Sequence, residues 1–168
     1  MSDSLEYFKD LSRKKIVTAL MVLDRKLPKA SEHCVKFRTV HRARISYLEW
    51  GDAIYLSGIE CLSQIWVSEA LIEYVKKEAE GCNVFIICPY FGMENVNDSR
   101  IKKRIKRILK QADGVIFLTK KKNKLSFFLC NEWMIKNSIE LIPIYTGRAE
   151  DDVKVIELAR RNNRGYTG

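Results

Sequence analysis

The sequence predicts a doubly wound α/β domain: a mostly parallel, five-stranded, Rossmann-like sheet with helices on both faces. Three observations carry that expectation. Short runs rich in aliphatic and aromatic residues at 52–57, 83–88, 113–118 and 140–144 have the length and composition of buried strands. The gaps between them hold helix-length segments, and strands alternating with helices argue for parallel crossovers. At 168 residues, with 46% hydrophobic and 30% charged, one domain spanning 1–168 can enclose its core without disulfides or a metal.

The elements follow in order. Leu5, Phe8 and Leu11 recur at helical spacing, so 2–13 reads as a lead-in helix. Residues 15–23 read as a first strand, and 24–31, with Pro28 and a run of charges, as a loop. In 32–50 the apolar positions Val35, Phe37, Val40, Ile45 and Leu48 are irregular, and a helix is the expectation. Strand 52–57 ends at Gly58, helix 62–79 stops at Gly81, and strand 83–88 closes at Pro89. After a loop over 91–98, Asp98 or Ser99 caps a helix over 100–111 by accepting bonds from its free amides. Strand 113–118, a basic loop through Lys124, helix 127–137, strand 140–144 and a last helix over 150–161 complete the set. No internal repeat or second domain is visible.

Composition narrows the function classes. No apolar run approaches the roughly 20 residues of a membrane span, and the start lacks a signal-peptide layout, so the cytoplasm is expected. The five cysteines form no C-x-x-C and lie mostly in apolar segments; buried reduced thiols are expected, not disulfides or zinc. His33 and His41 stand eight apart without an acidic pair, a poor metal or nucleophile arrangement. A net charge of +9 favours phosphate-rich partners, whether nucleic acid or a nucleotide, and also acidic protein surfaces.

Glu132 is the first candidate for chemistry. It sits in the helix after strand 113–118, near the rim where ligands of such sheets bind. Phe127, Phe128 and Trp133 nearby would desolvate it and fit it as base, nucleophile or oxocarbenium stabiliser. The same spacing fits a solvent-facing pair with Lys136, worth about 0.2–0.5 kcal/mol. Ser57 and Gly58 end a strand just before a helix, where amides and a hydroxyl meet phosphate or ribose. Residues 57–63 are neither a Walker A loop nor G-x-G-x-x-G, so ATPase, kinase and dinucleotide readings lose support, and no cofactor is expected. Tyr90 and Phe91 follow a strand end where a base can stack, and Ser126 heads a helix. Glu69 falls between Ile65 and Trp66 and faces either the pocket or solvent beside a favourable helix dipole.

A second candidate is electrostatic. Helix 100–110 sets Ile101, Ile105, Ile108 and Leu109 on one stripe and a basic arc opposite, including Arg100, Lys103, Arg104 and Arg107. With Lys120, Lys121, Lys122 and Lys124 on the next loop it can grip a phosphate backbone. A solvated helix face explains the same pattern, and no recognition-helix or RNA-module signature accompanies it.

Residues 52–145 resemble two groups, and with the residues ahead of them the chain resembles a third. Residues 54–58 and 84–89, Ala112, Asp113, Ser126, Glu132 and the strand ending in Ile144 resemble the nucleoside 2-deoxyribosyltransferases. That resemblance implies Glu132 as nucleophile on the sugar, with Asp113 assisting. Ser126, Cys130, Glu132 and residues 142–145 resemble a TIR domain, which implies cleavage of the nicotinamide glycosidic bond of NAD. Strand 15–23, Ser57, Gly58 and the helix carrying Trp66, Glu69 and Ala70 are similar to the SLOG superfamily, which implies a nucleotide-binding Rossmann-like module.

The expectation is a nucleotide-, nucleoside- or NAD-binding pocket lined by Ser57, Gly58, Tyr90, Asp113, Ser126 and Glu132 within 52–145. Cleavage or transfer at an N-ribosidic bond through Glu132 leads. The alternatives are a module that senses or sequesters a nucleotide signal, and a basic adaptor for nucleic acid. A homo-oligomer is compatible with each.

Overall fold

A computed structural model describes residues 2–22, 25–93, 96–122, 124–147, 157, 161 and 165–166. Its elements are α1 (Ser2–Ser12), β1 (Ile16–Met21), α2 (Glu32–Trp50), β2 (Ala53–Gly58), α3 (Leu62–Lys77), β3 (Asn83–Tyr90), α4 (Ser99–Gln111), β4 (Gly114–Thr119), α5 (Ser126–Lys136), β5 (Glu140–Pro143) and β6 (Gly165–Tyr166). The predicted fold class is present. The strands run parallel in the order β4-β3-β2-β1-β5-β6.

The chain steps outward from β1 to β4, with α2, α3 and α4 packed on one face. Then α5 crosses the opposite face, beside α1, and delivers β5 to the free side of β1. The order therefore reverses between β1 and β5, the place where open α/β sheets bind ligands beyond their carboxyl ends. Alternate residues of each strand feed the two cores. Tyr55, Val84 and Ile86 face α2–α4, while Ile54, Leu56, Phe85 and Ile87 face α1 and α5.

Two details depart from expectation. Strand β3 continues through Pro89 to Tyr90; Pro89 lies beyond Ile87, the last residue paired with β2, where proline is tolerated. A sixth strand, β6, pairs with β5. The helix expected over 150–161 lies almost entirely outside the described residues.

Helix α2 shows why its apolar spacing looked irregular. Its buried stripe is Val35, Thr39, Ala43 and Ser46, two of them polar, while Phe37, Ile45, Leu48 and Trp50 are exposed. Ser31 caps its start by accepting from the Cys34 amide, and Gly51, at φ 76°, ends it. Buried Glu140 of β5 anchors the other end. It accepts from Thr18 Oγ1 (3.2 Å), Ser46 Oγ (2.8 Å) and Trp50 Nε1 (2.8 Å), so its burial is matched by three donors.

Candidate functional site

Every strand of a parallel sheet points its carboxyl end the same way, so the loops after β1 to β5 share one edge. After β1 come Arg25 and Lys26; after β2, Glu60; at the end of β3, Tyr90 and Phe91; after β4, Lys120, Lys121, Lys122 and Lys124; after β5, Tyr145. Lys26 and the four loop lysines are exposed. Lys120, Lys121, Lys122 and Lys124 form no ion pair among the described residues. Thr119 shapes their loop, its hydroxyl lying 2.7 Å from the Pro89 carbonyl and 2.8 Å from that of Lys121. Phe91 is 62% exposed and leans on Phe117 at 5.2 Å; Tyr145 is 37% exposed under the Arg38 guanidinium at 4.9 Å.

At the centre of this basic rim stands Glu60, which the sequence reading did not single out. Its side chain is 10% exposed. It accepts from Ser126 Oγ (2.9 Å) and Arg25 Nη1 (3.3 Å), and the Arg25 guanidinium lies 4.9 Å over the Phe127 ring. Burial pushes the Glu60 carboxyl above its ordinary value of 4.5, while Ser126, Arg25 and Lys122 pull it back. An acid just past a strand-ending Ser-Gly was the available signal; its burial depends on Ser126 and Arg25, far away in sequence.

The Glu60 shift has a stability consequence. Folding favours the protonated acid, so its contribution is greatest below the unfolded value near 4.5 and is lost as pH rises through the folded one. Glu60→Gln cannot ionise and keeps the hydrogen-bonding shape. It is expected to raise the melting temperature at about pH 7, with the gain shrinking toward about pH 4. Thermal unfolding at both values checks this; an equal or larger gain at the acid end would contradict it.

The turn after β2 is filled from within. Ser57 is 1% exposed, its hydroxyl 2.8 Å from Ser68 Oγ, which also reaches the Gly58 carbonyl at 2.6 Å. A Cβ on Gly58 would meet Gln64 at 2.7 Å, and Gln64 Oε1 takes the Glu60 amide at 2.7 Å. The amide a phosphate would seek is thus already bonded. The crevice at the β1–β5 reversal is bridged as well: the amides of Lys29 and Ala30 both donate to the Thr146 carbonyl, at 2.9 and 3.0 Å.

The other predicted residues fall elsewhere. Asp113 precedes β4 and so stands at the amino edge, a strand's length of about 20 Å from the rim. There its carboxylate accepts from the Val84 amide at 2.7 Å. Glu132 pairs with Lys136 at 2.5 Å and lines a groove of about 250 Å³ with Leu118, Thr119, Leu129 and Trp133. None of Ser57, Gly58, Tyr90 or Ser126 lines that groove. Glu69 is bound by Arg104 Nε of α4 (3.0 Å) and Lys36 Nζ of α2 (3.2 Å), and Arg104 also meets Glu32 at 3.1 Å. The Arg104 charge is therefore shared with two acids, while Arg100, Lys103 and Arg107 stay exposed.

The thiols agree only in part with the expectation. Cys61, Cys82, Cys88 and Cys130 are buried and Cys34 is exposed, none of them in a disulfide. Burial holds Cys61 up to about 11 and Cys130 up to about 12, so both stay protonated near neutrality. Among the described residues no group of three His, Cys, Asp or Glu is placed to share a metal ion, and no helix is long and apolar enough to cross a membrane.

No protein-family model matches the chain, and no curated protein does. Among solved structures the fold is shared with DNA processing protein A from Helicobacter pylori, described for its single-stranded DNA binding mode. The TM-score is 0.60 at 17% identity, over 94% of this chain and 66% of that one. This chain thus spans just under two thirds of that protein's length, and the likeness is one of fold.

Proposed function

We propose that the chain binds single-stranded nucleic acid along the carboxyl edge of its sheet. The observation that carries this reading is the clustering on that edge of Arg25, Lys26, Lys120, Lys121, Lys122 and Lys124 beside the exposed rings of Phe91 and Tyr145. Cations supply sequence-independent attraction to phosphates, and exposed rings stack unpaired bases. The shared fold with a protein described as binding single-stranded DNA supports the reading.

The arrangement favours binding over turnover. A glycosidase needs its acid and its assisting group on one sugar, yet Asp113 lies at the opposite edge and Glu132 is held by Lys136. A mononucleotide or NAD-like molecule meets a turn already filled by Gln64 and a bridged crevice. It is expected to compete weakly, offering few phosphates to a rim that spans several loops.

Fluorescence anisotropy of labelled oligothymidylate across a salt series tests the proposal. Single strands lose about 0.7 in the log–log slope per phosphate contacted, so four to five contacts give a slope near −3. Binding that ignores salt, or displacement of the strand by equimolar mononucleotide, would contradict it.

A further inference from the structure

A second concentration of charge lies away from that edge. Between α3 and α4 a groove of about 580 Å³ is lined by Lys76, Lys106, Arg107, Lys110 and Gln111. Four of those five residues are cations and none is an acid. All are exposed, and none of the four cations forms an ion pair among the described residues. An adjoining groove of about 340 Å³ shares Lys76, Arg107 and Gln111 with it. The acids there, Glu69 and Glu73, are matched by Arg104 and Lys36 and by Lys77.

Ordinary helix physics accounts for part of this. Basic residues in the last turn offset a helix dipole, which explains Lys76 and Lys110. Lys106 and Arg107 stand a turn further back, where that effect has faded. Ile105 and Ile108 are buried beneath α4, which leaves Lys106, Arg107 and Lys110 on its exposed side, where they line one groove with Lys76 of α3. Like charges held around one concavity repel one another, and a polyanion that neutralises them all is the complementary occupant.

We infer that the α3–α4 groove is a second, base-independent site for the phosphate backbone of a nucleic-acid strand. No aromatic residue lines it, so bases have nothing to stack on, in contrast to the carboxyl edge. No apolar residue lines it either, which disfavours a membrane surface or the core of a protein interface. Phosphate binding in the groove does not depend on that first site.

The test uses two labelled probes of equal length, an oligothymidylate and an abasic deoxyribose-phosphate oligomer. Each is titrated against the parent protein, a groove variant (Lys76→Glu, Lys106→Glu, Lys110→Glu) and a rim variant (Lys120→Glu, Lys121→Glu, Lys122→Glu). The groove variant is expected to bind the abasic oligomer at least about tenfold more weakly, with the salt slope flattened by about 2 for three lost contacts. Melting curves confirm folding, and the matching glutamine variants should show the same order of effect at smaller size. Abasic binding within twofold of the parent overturns the groove site, as does binding of anionic vesicles without binding of the abasic probe. A crippled groove variant beside an unchanged rim variant would uphold the groove and overturn the carboxyl-edge reading; the reverse pattern would do the opposite.

Discussion

Reversing Lys120, Lys121 and Lys122 together is expected to weaken oligothymidylate binding by about a hundredfold or more at moderate salt, because three phosphate contacts become three repulsions. These lysines are exposed and outside any ion pair among the described residues, though Lys122 acts at a distance on buried Glu60, so melting curves of the variant accompany the titration. The aromatic half of the site separates from the ionic half by its salt behaviour. Phe91→Ala removes a ring that is 62% exposed and is expected to cost about 1–3 kcal/mol if a base stacks there. Its loss should be nearly the same at low and high salt, whereas the lysine loss should shrink as salt rises. Anisotropy titrations at two ionic strengths read both effects. Unchanged affinity in the lysine variant would remove the loop after β4 from the interface.

Phe85→Ala should produce the largest change in stability. Phe85 is fully buried in β3, with the rings of Phe8 (5.5 Å) and Tyr7 (5.7 Å) against it, so it joins α1 to the sheet. Deleting such a ring costs about 3–5 kcal/mol, and a chain of this size loses about 2–4 °C of melting temperature per kcal/mol. The neighbouring strand shows how tightly the ring is held. A Cβ on Gly114 would come 2.4 Å from Phe85 Cε1, so Gly114→Ala alone should destabilise by about 1–3 kcal/mol. In the Phe85→Ala background that methyl enters vacated space, and the double variant should be more stable than the sum of the single losses predicts. Additive losses in thermal unfolding would show that the two residues do not share one packing site.

The strands were legible because each is a short apolar run closed by a turn residue. β2 ends at Gly58, and α4 begins at an Asp98 cap that accepts from the Arg100 and Ile101 amides. Helix α2 was hard to read for a physical reason: its inner face uses Thr39 and Ser46, and its outer face carries Phe37 and Leu48, so polarity and burial disagree. Strand order is a long-range property that no local spacing reports. The bridge from Lys29 and Ala30 to Thr146, which covers the β1–β5 reversal, joins segments far apart in sequence. Glu132 illustrates two readings of one spacing, and the ion pair with Lys136 is the one the fold displays. Asp113 begins its strand, so its place at the amino edge followed from the strand's direction; grouping it with Glu132 came from family resemblance. The lysines of 120–124 were visible as charge, but their meeting with Arg25 and Glu60 depends on α5 crossing back to set Ser126 beside β2.

The most direct test of the carboxyl-edge interface is a nitrogen-15 NMR titration of the groove variant (Lys76→Glu, Lys106→Glu, Lys110→Glu), whose α3–α4 site is disabled, with a short oligothymidylate. Shifts are expected to concentrate at Arg25, Lys26, Glu60, Tyr90, Phe91, Thr119, Lys120, Lys121, Lys122, Lys124 and Tyr145. The amino edge, including Asp113 and Glu140, should stay still. Shifts centred on the amino edge, on the exposed face of α2 or on the groove around Glu132, with the loop lysines unmoved, would contradict it.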